Sequence, residues 1–404
     1  MAKKLRWKIA ATIIGVMFVT IGIHSSSLAK EVNIGTCIDL TGPIAHAAQS
    51  LWKGMQDYYN WAEKNDPIPG VSIKLFMEDT RYDATRYIPV YKKFLSKGIV
   101  AGYNCSSTAT VTTHKFVKRS KLPVLSEGSG FPPAIVPPAY TFLTRPLYPD
   151  FFAAAAIHFM EGWKKAGHKE KPKAVFITWD VPYGRGPIDL GTPWAEKYGF
   201  EMLPPQLYSK PPKDLSTQLL RAEKLGANLV YMNALEDHYS VLLKDAKRLG
   251  LLGKMQFCGG SETRDDMVIK MVGDAAEGAW AVTSWPDFAE TSHKGTQFMT
   301  EIQTKTHGKL YELSSNYFMG LVPARIIYEA VKQTANRLGP DNVTKEEVYK
   351  TLTGFNNLDM KGICPNVRFS ETERRPFLAM NVSKVKNGKW VKEKYDIQTP
   401  GLKP

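Results

Sequence analysis

Cys105, Ser106, Ser107 and Thr108 follow one another in the stretch YNCSSTAT, residues 103–110, and offer a thiol and three adjacent hydroxyls. Three chemistries are open to such a set: nucleophilic attack, metal or redox work by the cysteine, and the cradling of a ligand by hydroxyl and amide donors. A nucleophile needs a base, and nothing in the spacing pairs these residues with one. Metal work fares no better. Cys37, Cys105, Cys258 and Cys364 contain no CxxC, and His46, His114, His158, His168, His238, His293 and His307 show neither HxH nor HExxH. A cradle remains: a hydroxyl at a helix start caps it, and the free N–H groups there favour an anion such as carboxylate or phosphate.

The next polar stretch, LSEGSGFPP, brings Gly128, Ser129 and Gly130 to another strand end, where glycine lets the backbone approach a ligand and leaves amide donors free. It is not a nucleophile elbow, because G-x-S-x-G would need glycine where Glu127 and Phe131 stand. Further on, TWDVPYGRG offers Tyr183 to cover an organic ligand, and FCGGSETRDD offers Glu262 to meet an ammonium group. Asn233 closes a third strand end and is expected with Tyr183 and Glu262 on the far wall. No P-loop or strand-borne GxGxxG is present, so no cofactor, no metal and no catalytic set are expected.

The elements that must position these residues alternate. Apolar runs at 32–38, 71–79, 99–103, 122–127, 173–179, 227–233 and 255–260 read as strands, with helical patterns between them, as at 45–64, 106–119 and 237–249. Single helices between strands mean βαβ units and a mainly parallel sheet. There are two such series, divided by the proline-rich stretch 131–150, which reads as a loop or hinge. The fold class is therefore α/β with two doubly wound lobes. Asp214 is the expected N-cap of the helix that Gly226 stops, 279–287 reads as a strand leaving the second lobe, and MKGICPNVRFSE reads as a late strand.

Residues 1–29 have a basic start, an apolar run from Ile9 to Ile23 and a small-residue end at Ala29, the layout of a cleaved secretory signal. Removing these 29 of 404 residues leaves 375, about right for two lobes. The net charge of +14 falls to +10 without the leader's four cations. Nucleic acid is not expected as a partner, since the Lys and Arg are scattered and the chain is exported.

In order and spacing, VNIGTCIDLTGPIAHAAQSLWKG, NCSSTAT, DVPYGRG, DLSTQLLRAEKLGANLVYMN and DAAEGAWAV resemble the periplasmic solute-binding proteins of branched-chain amino acid ABC transporters, over nearly the whole mature chain. The resemblance implies a periplasmic type I binding protein with three crossovers, acting as a monomer with an inner-membrane permease and its ATPase. It divides the chain into a first lobe of 30–148 and 283–357 and a second of 149–282 and 358–404. It places the ligand's carboxylate on Ser106 with Gly128 and Gly130, and an aromatic wall on Tyr183; with these, Ser129 is expected to anchor the carboxylate beside Ser106, and Ser107 and Thr108 to cap the helix and assist. Ala47 and Leu235 stand where the family's amino-acid binders have tyrosines, and the ammonium-binding acid maps near Ser261, one place before Glu262. If Glu262 misses the pocket, an ammonium left uncompensated costs about 3 to 5 kcal/mol, and aromatic acids, aliphatic acids or amides become the alternative ligands. A ligand-sensing receptor domain or an amidase-like hydrolase are the other readings. The resemblance also gives Cys105 a disulfide role, with Cys37 as the alternative partner.

Overall fold

The computed structural model describes residues 29–287, 290–312 and 314–403. The leader read from residues 1–29 lies, apart from Ala29, outside the described residues. In the first lobe, β1 (Lys30–Ile38), β2 (Val71–Asp79), β3 (Ala101–Asn104), β4 (Val124–Ser126) and β5 (Thr141–Leu143) form a parallel sheet in the order β2-β1-β3-β4-β5. Helices α1 (Ala45–Asn65), α2 (Ala84–Ser96) and α3 (Ser107–Ser120) make the crossovers. Covered on both faces, β1 is buried continuously from Gly35 to Ile38 rather than at alternate positions.

After α4 (Tyr148–Lys165) comes a second sheet of β6 (Lys173–Trp179), β7 (Glu201–Met202), β8 (Gln206–Tyr208), β9 (Leu229–Met232), β10 (Gln256–Gly259) and β11 (Trp280–Thr283). Its parallel part runs β11-β10-β9-β6-β7, with β8 also on β6. Helices α5 (Pro182–Arg185), α6 (Ile188–Tyr198), α7 (Ser216–Lys224), α8 (Glu236–Arg248) and α9 (Asp266–Val272) join these strands. The chain then returns to the first lobe with α10 (Lys294–His307), α11 (Ser315–Leu338), α12 (Lys345–Thr353) and the small antiparallel pair β12 (Asn356–Leu358) and β13 (Val367–Arg368). It ends as the hairpin β14 (Ala379–Lys386) and β15 (Lys389–Gln398), laid antiparallel on β11. Asn387 and Gly388 make that turn with φ of 52° and 67°, the left-handed pair a tight hairpin demands.

Both lobes thus have doubly wound order, and in such sheets the crevice opens beyond the carboxyl ends of the strands where the winding reverses. In the first lobe that point lies between β1 and β3, and in the second between β6 and β9. Helices α1 and α11 support the first from behind. They approach so closely that a Cβ on Gly54 would meet Tyr317 O at 2.2 Å and one on Gly320 would meet Leu51 O at 2.0 Å.

Four expectations shift. The stretch 131–150 is not all hinge: β5 pairs with β4 inside it, and α4 begins at Tyr148 with a proline in its first turn, where no amide donor is missed. Asp214 accepts from Ser216 N at 2.9 Å, but the residue at the cap of α7 is Leu215. MKGICPNVRFSE is a strand only at Val367–Arg368. Moreover Met360, Ile363, Val367 and Phe369 pack into the first-lobe core with Tyr58 and Ile326. The last crossing therefore follows residue 369 rather than 357, because these apolar side chains find their burial in the first lobe.

Candidate functional site

A cavity of about 50 Å³ lies where the two reversal points face each other. The first lobe contributes Ala47, Ala48 and Leu51 from α1, Asn316 and Met319 from α11, Tyr82 from beyond β2, and Cys105, Ser106 and Ser107 from the turn into α3. The second contributes Tyr183, Leu235 and Glu262. Arg145 and Tyr148, on the crossing between the lobes, complete it.

Ser106 is extended, with φ −140° and ψ 158°, and caps α3 by accepting from Ala109 N at 3.3 Å. Its hydroxyl lies 3.1 Å from Tyr87 Oη. Tyr87 donates its one hydrogen to Asp39, at 3.1 Å from Oδ1, so the proton between Ser106 and Tyr87 comes from Ser106. Asp39 is fully buried at the end of β1 and organises this corner: it also accepts from Thr80 Oγ1 at 2.6 Å, Tyr82 N at 2.8 Å and Cys105 Sγ at 3.4 Å. Sequence reasoning missed Asp39. The signal that could have found it is an acid directly following an apolar strand, at a sheet end where ligands collect. Ser107 lies 3.2 Å from Tyr148 Oη.

Cys105 is no nucleophile in this setting. Burial, reinforced by Asp39, pushes its thiol well above the ordinary range, and a thiol held protonated is unreactive. Nor does it form a disulfide with the alternative partner Cys37: both are buried free thiols, as are Cys258 and Cys364. Both Cys37 and Cys105 instead face the Asp39 corner, and burial raises Cys37 as well.

Glu262 reaches the cavity, but its charge is already met. Arg145 Nη1 sits 2.9 Å from Glu262 Oε1, and Ser261 Oγ donates to Oε2 at 2.6 Å. The same guanidinium holds Glu127 of the first lobe, Nε to Oε1 at 3.1 Å, and donates from Nη2 to Tyr148 Oη at 3.1 Å. Burial works against charge on Arg145, yet Glu262, Tyr148 and Glu127 together push its pKa further up. Burial raises Glu127 in spite of Arg145 and a hydrogen bond from Thr144. Arg145 escaped the sequence reading because it sits in the stretch taken as hinge.

Of the remaining expected residues, Tyr183 lines the cavity, with its ring edge-on to Tyr148 at 5.2 Å and its hydroxyl donating to Ala234 O at 3.1 Å. Asn233 lies behind it and donates to Tyr183 O at 2.7 Å, fixing the turn. Gly128, Ser129 and Gly130 stand behind the wall rather than on it, the first two buried and Gly130 partly so. A Cβ on Gly128 would come within 2.5 Å of Ser107 Cα, and one on Gly130 within 2.8 Å of Tyr148. Ser129 Oγ donates to Glu127 O at 3.2 Å. The lobes meet again where Tyr82 stacks on Trp179, ring centroids 6.1 Å apart and 10° from parallel.

The periplasmic binding protein family model matches residues 31–389. A leucine-, isoleucine-, valine-, threonine- and alanine-binding protein of Pseudomonas aeruginosa is 22% identical over 362 residues, which are 87% of this chain and 92% of that one. Among solved structures, a branched-chain amino acid ABC transporter protein from Thermus thermophilus with bound valine superposes with a TM-score of 0.82 at 23% identity, covering 92% of this chain and 97% of that one. A solute-binding protein from R. palustris in complex with benzoate superposes with a TM-score of 0.74 at 15% identity, covering 91% and 97%. The chain belongs to the periplasmic binding protein family. Its two lobes have the type I fold of that family.

Proposed function

We propose that the protein captures a small carboxylate-bearing compound, an amino acid or an amino-acid-like acid, between its lobes in the periplasm and delivers it to the permease and ATPase of an ABC importer. The observation that carries this reading is the cavity itself, enclosed by both reversal points, with the start of α3 on one side and the Arg145 guanidinium on the other. The carboxylate is assigned to Ser106 and Ser107 at the start of α3, where helix amides converge and where an arriving anion, a stronger acceptor than the neutral Tyr87 oxygen, takes over the Ser106 proton. Gly128 and Gly130 let α3 and Tyr148 pack closely enough to form that wall, and Asn233 and Ser129 hold its loops. Tyr183 covers the ligand. Delivery unchanged fits the groups present, since the Ser106 proton is engaged by Tyr87 and the Cys105 thiol is held protonated. No described helix is long and apolar enough to cross a membrane, which suits a carrier that meets its permease at the membrane surface.

One observation favours a ligand without an α-amino group. Glu262 is occupied by Arg145 and Ser261, so an ammonium beside it would have to displace a buried pair. The Pseudomonas relative is named for amino acids, whereas the R. palustris neighbour holds benzoate, an acid with no amine. A thermal-shift and calorimetric series of branched-chain amino acids, aliphatic acids, aromatic acids and amides separates these readings. Stabilisation by acids but not by amides supports the carboxylate cradle; stabilisation by amides alone sinks it. Recovery of a bound acid in altered form would overturn the carrier reading.

A further inference from the structure

Glu236 opens α8, one residue beyond the cavity-lining Leu235. Its side chain is 5% exposed, its Oε2 has no hydrogen-bond partner among the described residues, and the basic group against it is His46 of the other lobe, with Nε2 3.5 Å from Oε1. It borders a second chamber of about 200 Å³ at the junction of the lobes, with Met267 and Met271 on its apolar side. Ile44, Ala47 and Leu235 line both this chamber and the inner cavity, so the two are separated by one layer of small or flexible apolar side chains.

Glu262 and Glu236, the buried ones among the carboxyl groups lining the two chambers, differ in what they lack; Asp237, beside Glu236, is exposed. Glu262 has a guanidinium and a hydroxyl; Glu236 has an unpartnered oxygen and an exposed histidine. A buried acceptor without a donor is costly, and a donor arriving from outside removes that cost. Burial pushes the Glu236 carboxyl up to about 8; its own amide opposes the rise, and Asp265, Asp237 and Glu262 add to it. A cation placed beside Glu236 would favour its charged form and supply the partner its Oε2 lacks.

We infer that this chamber is a second subsite of the cleft, in which Glu236 receives the ammonium at the far end of an acid whose carboxylate lies at the start of α3, so that ω-amino carboxylates are preferred ligands. The apolar chain between the two ends runs past Ala47 and Leu235. This inference rests on the carboxylate reading above and adds the nature of the ligand's other end.

The test is calorimetry of the purified protein with δ-aminovalerate and valerate at neutral pH, in two buffers of different ionisation heat. δ-Aminovalerate should bind about 10- to 100-fold more tightly than valerate, the gain of a hydrogen bond between charged partners. Its heat should depend on the buffer, because Glu236 gives up its proton to pair with the ammonium. In Glu236→Gln the preference should fall to about one and the buffer dependence disappear. Equal binding of the two acids by the wild type, or a preference that survives in Glu236→Gln, overturns the subsite. If valerate or leucine binds and δ-aminovalerate does not, the subsite fails and the carboxylate cradle stands; if no acid binds, both fail. Should Glu236→Gln not fold, the wild-type ratio and its buffer dependence decide alone.

Discussion

Arg145 Nη1 and Glu262 Oε1 are 2.9 Å apart, and the contact joins the crossing after β5 to the second lobe while Arg145 Nε stays on Glu127 of the first. One buried cation thus serves two acids on opposite sides of the cleft. Removing it in Arg145→Ala leaves both acids without a counter-charge and should cost about 3 to 5 kcal/mol of stability. Urea unfolding followed by tryptophan fluorescence measures this. Glu262→Gln keeps the Arg145–Glu127 pair and should cost clearly less; equal losses from the two variants would contradict the shared-cation arrangement.

Ser106 caps α3 and reaches Asp39 through Tyr87. Ser106→Ala should lower stability by about 0.5 to 2 kcal/mol through the lost cap and weaken acid binding by about 1 to 3 kcal/mol. Tyr87→Phe separates the two effects, since it leaves the Ser106 cap in place while freeing its hydroxyl proton. Thermal melts and calorimetry on both variants check this, and unchanged affinity in Ser106→Ala removes Ser106 from the site.

The raised carboxyl of Glu236 gives stability a pH dependence with a definite sign. Its ordinary value is 4.5 and its value in the fold is about 8, so between these limits the folded protein keeps a proton that the unfolded chain has released. Stability from this group therefore falls as pH rises through that window. Relative to Glu236→Gln, the wild type should be comparable near the lower limit and less stable near the upper one, by an amount on the order of a few kcal/mol. Unfolding free energies of both proteins at the two ends provide the comparison, and a constant difference would refute it.

Gly320 lies where α11 touches α1, and the carbonyl of Leu51 occupies the place of its missing side chain at 2.0 Å. A backbone oxygen cannot swing aside as a side chain can. Gly320→Ala should therefore cost about 1 to 3 kcal/mol or more by overpacking, while Gly308→Ala, with nothing within 4 Å of its Cβ and φ of 75°, should cost only its left-handed strain. Because α1 and α11 carry Ala47, Leu51 and Met319 to the cavity, the Gly320 variant should also bind acids more weakly, which calorimetry reads.

All four cysteines are buried thiols. A thiol reagent should find none in the folded protein and four in denaturant, and a reductant should leave the melting temperature unchanged. A reductant-sensitive melt would restore the disulfide.

What could be read from residues alone followed burial. The strands near 32–38, 173–179 and 229–232 are continuous apolar runs because both sheet faces are covered, and such runs stand out. By contrast β5 has three residues between proline clusters and takes its identity from pairing with β4, a tertiary fact. The site divided in the same way. Ser106, Ser107, Tyr183 and Glu262 line the cavity because strand-end loops point there. In the sequence the glycines at 128 and 130 offer room for a ligand, but the room is taken by α3 and Tyr148. Arg145, Asp39 and Glu236 owe their character to what surrounds them once buried, and a lone charged residue in a sequence carries no mark of its burial.

Among the described residues the cavity is unequally shared, with α1, α3, α11, Tyr82 and Cys105 on one side and Tyr183, Leu235 and Glu262 on the other. On the proposed reading the first lobe is a seat and the second a lid, and the consequence is kinetic. Substitutions on the seat, such as Ser106→Ala, act on the encounter of ligand with the open protein and on its escape alike. Substitutions on the lid, such as Tyr183→Phe or Leu235→Ala, act after the ligand has landed and should change the dissociation rate while leaving association nearly as it was, a split that stopped-flow fluorescence can resolve.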